Sequence, residues 1–331
     1  MKVLLIGGNR FLGHELALRL VAAGHSVSVF NRGRQPDALG ARVERLLGDR
    51  TCEDFGRLVG GREWDAAVDF AAFDGADGRG AVAALAGKVG HYVAISTGQV
   101  YLVRDGCPRP ARESDYDGRL MAPPPGEDDR AQWDYGVKKR ALEDELALAW
   151  QRRRFPATRL RIPMVNGERD YYRRVERYLW RLLDGGPILL PGGGARVTRH
   201  VYSGAVVKAI LGLLGRGASF GRAYNLAQDE TPTLRELVVE LAARLGARPR
   251  FVEPSVEAVR AAGLDPLALS PFSGAWMSFV DPALAKAELD FRHEPLASYL
   301  DKIVASFLAH PPAEPPPGYE GRPRERELAA V

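Results

Sequence analysis

Residues 1–20 read MKVLLIGGNRFLGHELALRL. The apolar run KVLLI (2–6) has the length and branched residues of a buried strand. Gly7 and Gly8 follow at once, and from Phe11 the apolar residues recur at helical spacing until Gly24. Strand, glycine turn and helix, in that order, make a unit whose turn amides and helix N-terminus face a pyrophosphate. Residues 7–13, GGNRFLG, therefore make up the expected phosphate loop: Gly7, Gly8, Asn9, Arg10, Phe11, Leu12 and Gly13. Gly7 and Gly8 supply the tight turn, and Gly13 lets the helix pack closely on the strand. Arg10 stands where a middle glycine is usual.

Outward from this unit the same alternation repeats. SVSVFNR (26–32) reads as a second strand and RVERLLGD (42–49) as a short element ending in a turn. CEDFGRLVGG (52–61) is helical, WDAAVDFA (64–71) a strand, GRGAVAALAGKVG (78–90) a helix and HYVAISTG (91–98) a strand. This order predicts an α/β fold, a doubly wound parallel sheet with helices on both faces. QWDYGVKKRALEDELALAW (132–150) continues as a long helix and ATRLRIPMVNG (157–167) as a strand and its exit. Between them, residues 104–131 are polar and rich in Pro, Gly and Asp, which predicts a long surface loop or a lid beside a site.

Beyond residue 166 the rhythm changes to helices with a short strand and glycine turn at 188–194. The expected division is a dinucleotide-binding domain over 1–165 and a smaller C-terminal α/β substrate lobe over 166–310. A segment at about 195–228 returns to the first domain, and a proline-rich tail, 311–331, is either flexible or wraps the surface.

Composition narrows the class. The formal charge of the 331 residues is only +4, with arginines dispersed rather than gathered in a basic block, which argues against a nucleic-acid partner. The two cysteines, Cys52 and Cys107, suggest neither a disulfide framework nor a metal-ligand cluster. No uncharged apolar run approaches membrane-spanning length, and the chain enters its first strand without a signal-like pattern, so a reduced, cytoplasmic setting is expected.

The end of the second strand bears on the cofactor. An acidic residue there selects NAD by bonding the ribose 2′-hydroxyl. Here stand Asn31, Arg32 and Arg34. Asn31 does not repel a 2′-phosphate, and Arg32, Arg34 and Arg10 can pair with one, so NADP(H) is expected over NAD(H). Asp49 is placed to accept from the adenine amine, and Ala71 and Ala72 to form a small-residue surface beside the ribose. Asp69 reads alternatively as a structural cap.

Tyr135 and Lys139 lie four residues apart on the long helix, hence on one face. An ammonium beside a phenol favours the phenolate, so Tyr135 suits proton transfer to a carbonyl or alcohol. Ser96 and Thr97, at the end of the preceding strand, offer hydroxyls to orient a substrate oxygen.

GGNRFLG, YVAISTGQVY, YGVKK, LRIPMVNGE and AYNLAQDETPTLREL together resemble the extended short-chain dehydrogenase/reductase superfamily, in its atypical reaches and in the NAD-dependent epimerase/dehydratase branch, over most of residues 1–300. The resemblance implies a Rossmann-type domain holding a nicotinamide cofactor and a lobe closing on substrate. It implies oxidoreductase or isomerase (epimerase-like) chemistry, with Thr97 as the hydroxyl residue, Tyr135 as acid/base, and Lys139 holding ribose and tuning Tyr135. It also implies a homodimer. Thr97-Gly98-Gln99 replaces the Thr-Asp-Glu of sugar-nucleotide dehydratases, so elimination of water is not expected. Asn166-Gly167-Glu168 and HVYSGAVV depart from the nucleotide-sugar pattern as well. Arg161, Asn166, Arg196, Arg199 and His200 remain as candidate contacts for a small sugar-like or nucleotide-sugar substrate. A similar GGxRFxG loop occurs in RNA-associated relatives, which keeps a cofactor-binding regulatory protein as the alternative.

Overall fold

The computed structural model describes residues 1–36 and 38–330. The strands are β1 (Lys2–Ile6), β2 (Ser26–Asn31), β3 (Glu44–Leu47), β4 (Ala66–Asp69), β5 (Tyr92–Thr97), β6 (Ala157–Ile162), β7 (Met164–Asn166), β8 (Ile188–Leu189), β9 (His200–Tyr202), β10 (Ala223–Asn225) and β11 (Phe251–Val252). The helices are α1 (Phe11–Ala22), α2 (Glu53–Leu58), α3 (Gly75–Leu85), α4 (Gln99–Leu102), α5 (Glu127–Arg153), α6 (Arg174–Leu183), α7 (Ser203–Leu213), α8 (Leu234–Arg244), α9 (Val256–Ala261), α10 (Pro266–Leu269), α11 (Ala283–Leu289), α12 (Leu296–Ala309) and α13 (Arg322–Leu328).

The chain forms two compact units. The first comprises Met1–Pro163, Ser203–Ala227 and Ser278–Arg292. Its seven strands run in the order β3-β2-β1-β4-β5-β6-β10, all parallel. The order reverses between β1 and β4, which is the doubly wound Rossmann pattern, and ligands of such sheets bind at the carboxyl ends near the reversal. Val3, Leu4 and Leu5 of β1 are fully buried, as expected of a strand covered on both faces. On one face Leu4, Ile6, Tyr92 and Ala94 share a core with Leu85 of α3 and Leu142 and Leu146 of α5. On the other, α1 packs beside α7.

The return segment begins at Ser203 rather than about 195, and Ser278–Arg292 joins the first unit too. Its anchors are backbone bonds from Ala111 N–H to Phe279 O and from Asp281 N–H to Ala111 O, and the pairing of Glu288 on α11 with Arg222. Residues 104–131, expected as a long surface loop or a lid, run into α5 as a largely irregular segment, with a short helical turn at Glu113–Asp115, that is tied to the first unit by side-chain bonds. The Tyr116 hydroxyl donates to Asp144 on α5, and Arg140 donates back to Tyr116 O. Helix α5 begins at Glu127, earlier than the apolar pattern suggests, because Glu127, Asp128 and Asp129 place negative charge on its first turn.

The second unit comprises Met164–Tyr202, Gln228–Met277 and His293–Val331. It holds the two-stranded parallel pairs β7-β9 and β11-β8, with α8 packed against α6 and α12. The expected tail is folded into this unit. Glu325 of α13 is fully buried and accepts from Arg181 at 2.9 Å and from Arg322 at 2.7 Å, while Arg322 also binds Asp184. Val331, the last residue of that tail, lies outside the described residues. Among the described residues no helix is long and apolar enough to cross a membrane.

Candidate active site

The turn after β1 is built as its sequence requires. Gly7 has φ +82°, and a Cβ there would stand 2.8 Å from Ala71 Cβ. A Cβ on Gly13 would stand 2.3 Å from Gly8 Cα, so α1 can meet the turn only because residue 13 has no side chain. Arg10 is the extended N-cap of α1, with no side chain capping the helix, and Phe11 follows at φ +45°, a left-handed conformation costly for a bulky residue. The turn and the N-cap Arg10 border a cavity of about 400 Å³.

Gly7, Asn9, Arg10, Asn31, Arg32, Arg34, Asp49 and Ala71 line that cavity. Gly8, Gly13 and Leu12 instead lie buried behind it in the packing of the turn, and Ala72 is also buried. The Asn31 side chain accepts from Gly33 N–H at 2.7 Å, fixing the bend that carries the arginines. Arg32 and Arg34 lie near enough to Asp49 to act on its charge. Hydrogen bonds from the Thr51 amide and hydroxyl hold the Asp49 carboxyl below its usual range, and the two guanidiniums add to this. Arg50, Thr51, Phe70 and Asp77 line the same cavity and were not singled out from sequence. The only cue for Arg50 was its place beside Asp49.

The catalytic candidates also lie in the first unit. Tyr135 is half-buried, with its ring 5.6 Å from that of Phe73. Gly136 sets the depth of α5, since a Cβ there would stand 2.6 Å from Val103 and 2.9 Å from Gln99 O. One turn on, Lys139 is buried and donates to Ala72 O at 2.6 Å and Ile95 O at 3.0 Å. Burial lowers its pKa to about 8, with Asp69 and Glu143 opposing that fall. Thr97 is partly open, its hydroxyl accepting from Gln99 N–H at 3.2 Å. Gly98 follows because a side chain there would stand 2.5 Å from Ser278 Oγ.

Ser96 is placed differently from expectation. It points into the core and donates to Glu143 at 2.5 Å, so its hydroxyl serves a buried ion pair. Arg161 is the cation of that pair. It is 3% exposed, forks onto Glu143 at 2.6–3.1 Å and donates to the Tyr101 hydroxyl. Its charge is therefore committed inside the unit rather than offered to an anionic substrate.

The remaining substrate candidates lie in the second unit. Asn166 is fully buried and bonded to His200 Nδ1 at 2.9 Å. His200 packs on Phe272, and burial, with Arg174 adding to it, lowers its pKa to about 3, leaving it neutral. Both lie inside that unit, with Asn166 Oδ1 and His200 Nε2 buried and without a hydrogen-bond partner among the described residues. Arg199 is half-buried and donates to Asp229 O, and Arg196 is exposed beside the bond from Leu234 N–H to its own carbonyl.

The parallel sheet and the glycine turn after β1 define a Rossmann-type α/β fold. The NAD dependent epimerase/dehydratase family model matches residues 81–227. The chain is 29% identical over 251 residues to 2'-dehydrokanamycin reductase of Streptomyces kanamyceticus, covering 74% of this chain and 67% of that one. It is 23% identical over 269 residues to the chloroplast stem-loop binding protein of 41 kDa b of Arabidopsis thaliana, covering 77% of this chain and spanning 65% of that protein's length. A solved dTDP-glucose 4,6-dehydratase of Bacillus anthracis, in complex with NAD, superposes with a TM-score of 0.73 at 16% identity, over 94% of this chain and 97% of that one. At that identity the likeness speaks for the fold alone.

Proposed function

We propose that the protein is a nicotinamide-dependent oxidoreductase or epimerase-like enzyme that prefers NADP(H) and acts on a hydroxyl or keto carbon of a small sugar-like substrate. The observation that carries the preference is the end of β2. Asn31, Arg32 and Arg34 line the cavity there, as does Arg10. The turn fits a pyrophosphate, because Gly7 and Gly13 leave no room for side chains and the helix end above them is uncapped. Gly7, Gly8 and the first turn of α1 would hold the pyrophosphate. Arg32, Arg34 and Arg10 would hold the 2′-phosphate, and Asp49 the adenine amine.

The bound nicotinamide would supply or take the hydride. Tyr135 would move the proton at the substrate oxygen, and the Thr97 hydroxyl would orient that oxygen. The Lys139 ammonium would hold the nicotinamide ribose and favour the Tyr135 phenolate. Gly98 and Gln99 supply no carboxylate for elimination, and the Gln99 amide is spent on Gln132 at 2.8 Å, which supports oxidoreduction over dehydration. The likeness to a reductase supports the same reading.

Calorimetric titration of NADPH and NADH tests the preference. NADPH binding the tighter supports it, and NADH binding equally or better overturns it. The relative named for stem-loop binding favours a second reading, a cofactor-holding RNA binder. Filter binding to a stem-loop RNA checks it: specific retention that survives 0.2 M salt would favour that reading, and loss of retention would remove it.

A further inference from the structure

Behind the cavity wall stands a row of buried charge that the assignments above leave unused. Arg50 lines the cavity, yet its guanidinium faces inward. Nη1 lies 3.0 Å from both oxygens of Asp69, and Nε lies 2.8 Å from Asp77. Asp69 is fully buried at the end of β4 and accepts a third side-chain bond from the Tyr92 hydroxyl at 2.7 Å. The same carboxylate accepts from the amides of Ala71 at 2.9 Å and Ala72 at 2.8 Å. The carbonyl of Ala72 in turn receives the Lys139 ammonium. A continuous line of bonds thus runs from Arg50 through Asp69 and one residue's peptide groups to Lys139.

We infer that Asp69 and Arg50 are positioning residues that set the charge of Lys139 and join the dinucleotide cavity to it through Ala72. The inference rests on the assignment of Lys139 to the site. A cap on two amides needs only an acceptor, which Asn could supply. The buried carboxylate adds a negative charge close to a desolvated ammonium, and Arg50 limits how much of that charge Lys139 feels. The charged groups acting on Lys139 come from several elements packed around it. Asp69 from β4, Glu143 from α5 and Asp77 from α3 favour its proton, and Arg50 opposes it. Its two acceptors are carbonyls of Ala72 and Ile95. The two peptide groups flanking Ala72 Cα, one giving its N–H to the carboxylate and the other its C=O to the ammonium, hold the segment that follows Ala71, on which Gly7 packs.

Titration of Lys139 by NMR on protein labelled with ¹³C at lysine Cε tests this without substrate, the signal being identified by its absence in Lys139→Arg. Asp69→Asn keeps the shape and the acceptor. It should lower the Lys139 midpoint by about one pH unit, a roughly tenfold weaker hold on the proton, while Arg50→Met should raise it. Loosened packing would instead rehydrate the lysine and raise the midpoint in both variants. A rise or no change in Asp69→Asn overturns the inference. If Asp69→Asn does not fold, Asp77→Asn at the partly open end of the row decides the matter. A lowered midpoint there supports the relay, and an unchanged or raised one overturns it. NADPH titration of the same samples separates the two claims, since cofactor binding with an unresponsive lysine defeats only the relay.

Discussion

Single positions decide whether this chain can hold a dinucleotide. Gly13 shows it most sharply, because its Cα hydrogen faces Gly8 Cα where a methyl would stand at 2.3 Å. Gly13→Ala must push α1 off the sheet. It should cost about 1–3 kcal/mol or more, as overpacking does, and abolish dinucleotide binding. Urea unfolding with an NADPH titration checks this, and unchanged binding would contradict the role given to the turn. Tyr135 carries the proton in the proposed chemistry. Tyr135→Phe should lower kcat about a hundredfold or more once a substrate is in hand, with NADPH affinity kept. Stopped-flow assays that find turnover intact would take Tyr135 out of that role. The Gly13 contact was legible in sequence, because its neighbour Gly8 lies five residues away.

At the scale of elements, the strands carry buried ionisable groups whose roles no local pattern discloses. His91, beside β5, bonds Thr158 of β6 at 2.9 Å and accepts from Gly215 N–H at 3.1 Å. Burial lowers its pKa from 6.5 to about 4. The unfolded chain therefore takes up a proton below pH 6.5 that the folded chain refuses until about pH 4. Stability is fully present above pH 6.5 and drains through that window, by about 3 kcal/mol for this residue. His200, held neutral in the second unit, acts in the same direction. Urea midpoints at pH 7 and pH 4.5 should differ less in His91→Gln than in the wild type. An equal difference would show that His91 is not a source of the acid sensitivity. The same reasoning explains why Ser96 and Arg161 looked like site residues. Their partner Glu143 lies 47 and 18 positions away, and only the folded sheet brings the three together.

For the whole molecule, the alternation of strands and helices revealed the doubly wound sheet, because each βα unit is written in consecutive residues. The division into units was less legible. Ser278–Arg292 joins the first unit through bonds to Ala111 and Arg222, and the proline-rich end joins the second through a buried pair, Arg181 and Glu325, 144 positions apart. Such long-range pairs leave no periodic trace. Arg50 was overlooked for the same reason, since its two carboxylates are contributed by β4 and α3. At the end of β2, local sequence and cavity lining name the same residues, Asn31, Arg32 and Arg34.

That place gives the most direct test of the account. The dissociation constants of NADPH and NADH should be measured for the wild type, Arg32→Ala and Asn31→Asp. The account expects NADPH to bind tighter in the wild type and about tenfold more weakly in Arg32→Ala, with NADH changed by less than about twofold. Asn31→Asp, which restores a carboxylate at the ribose, should move the preference toward NADH. Equal affinities for the two cofactors in all three proteins would contradict the 2′-phosphate site and with it the proposed cofactor.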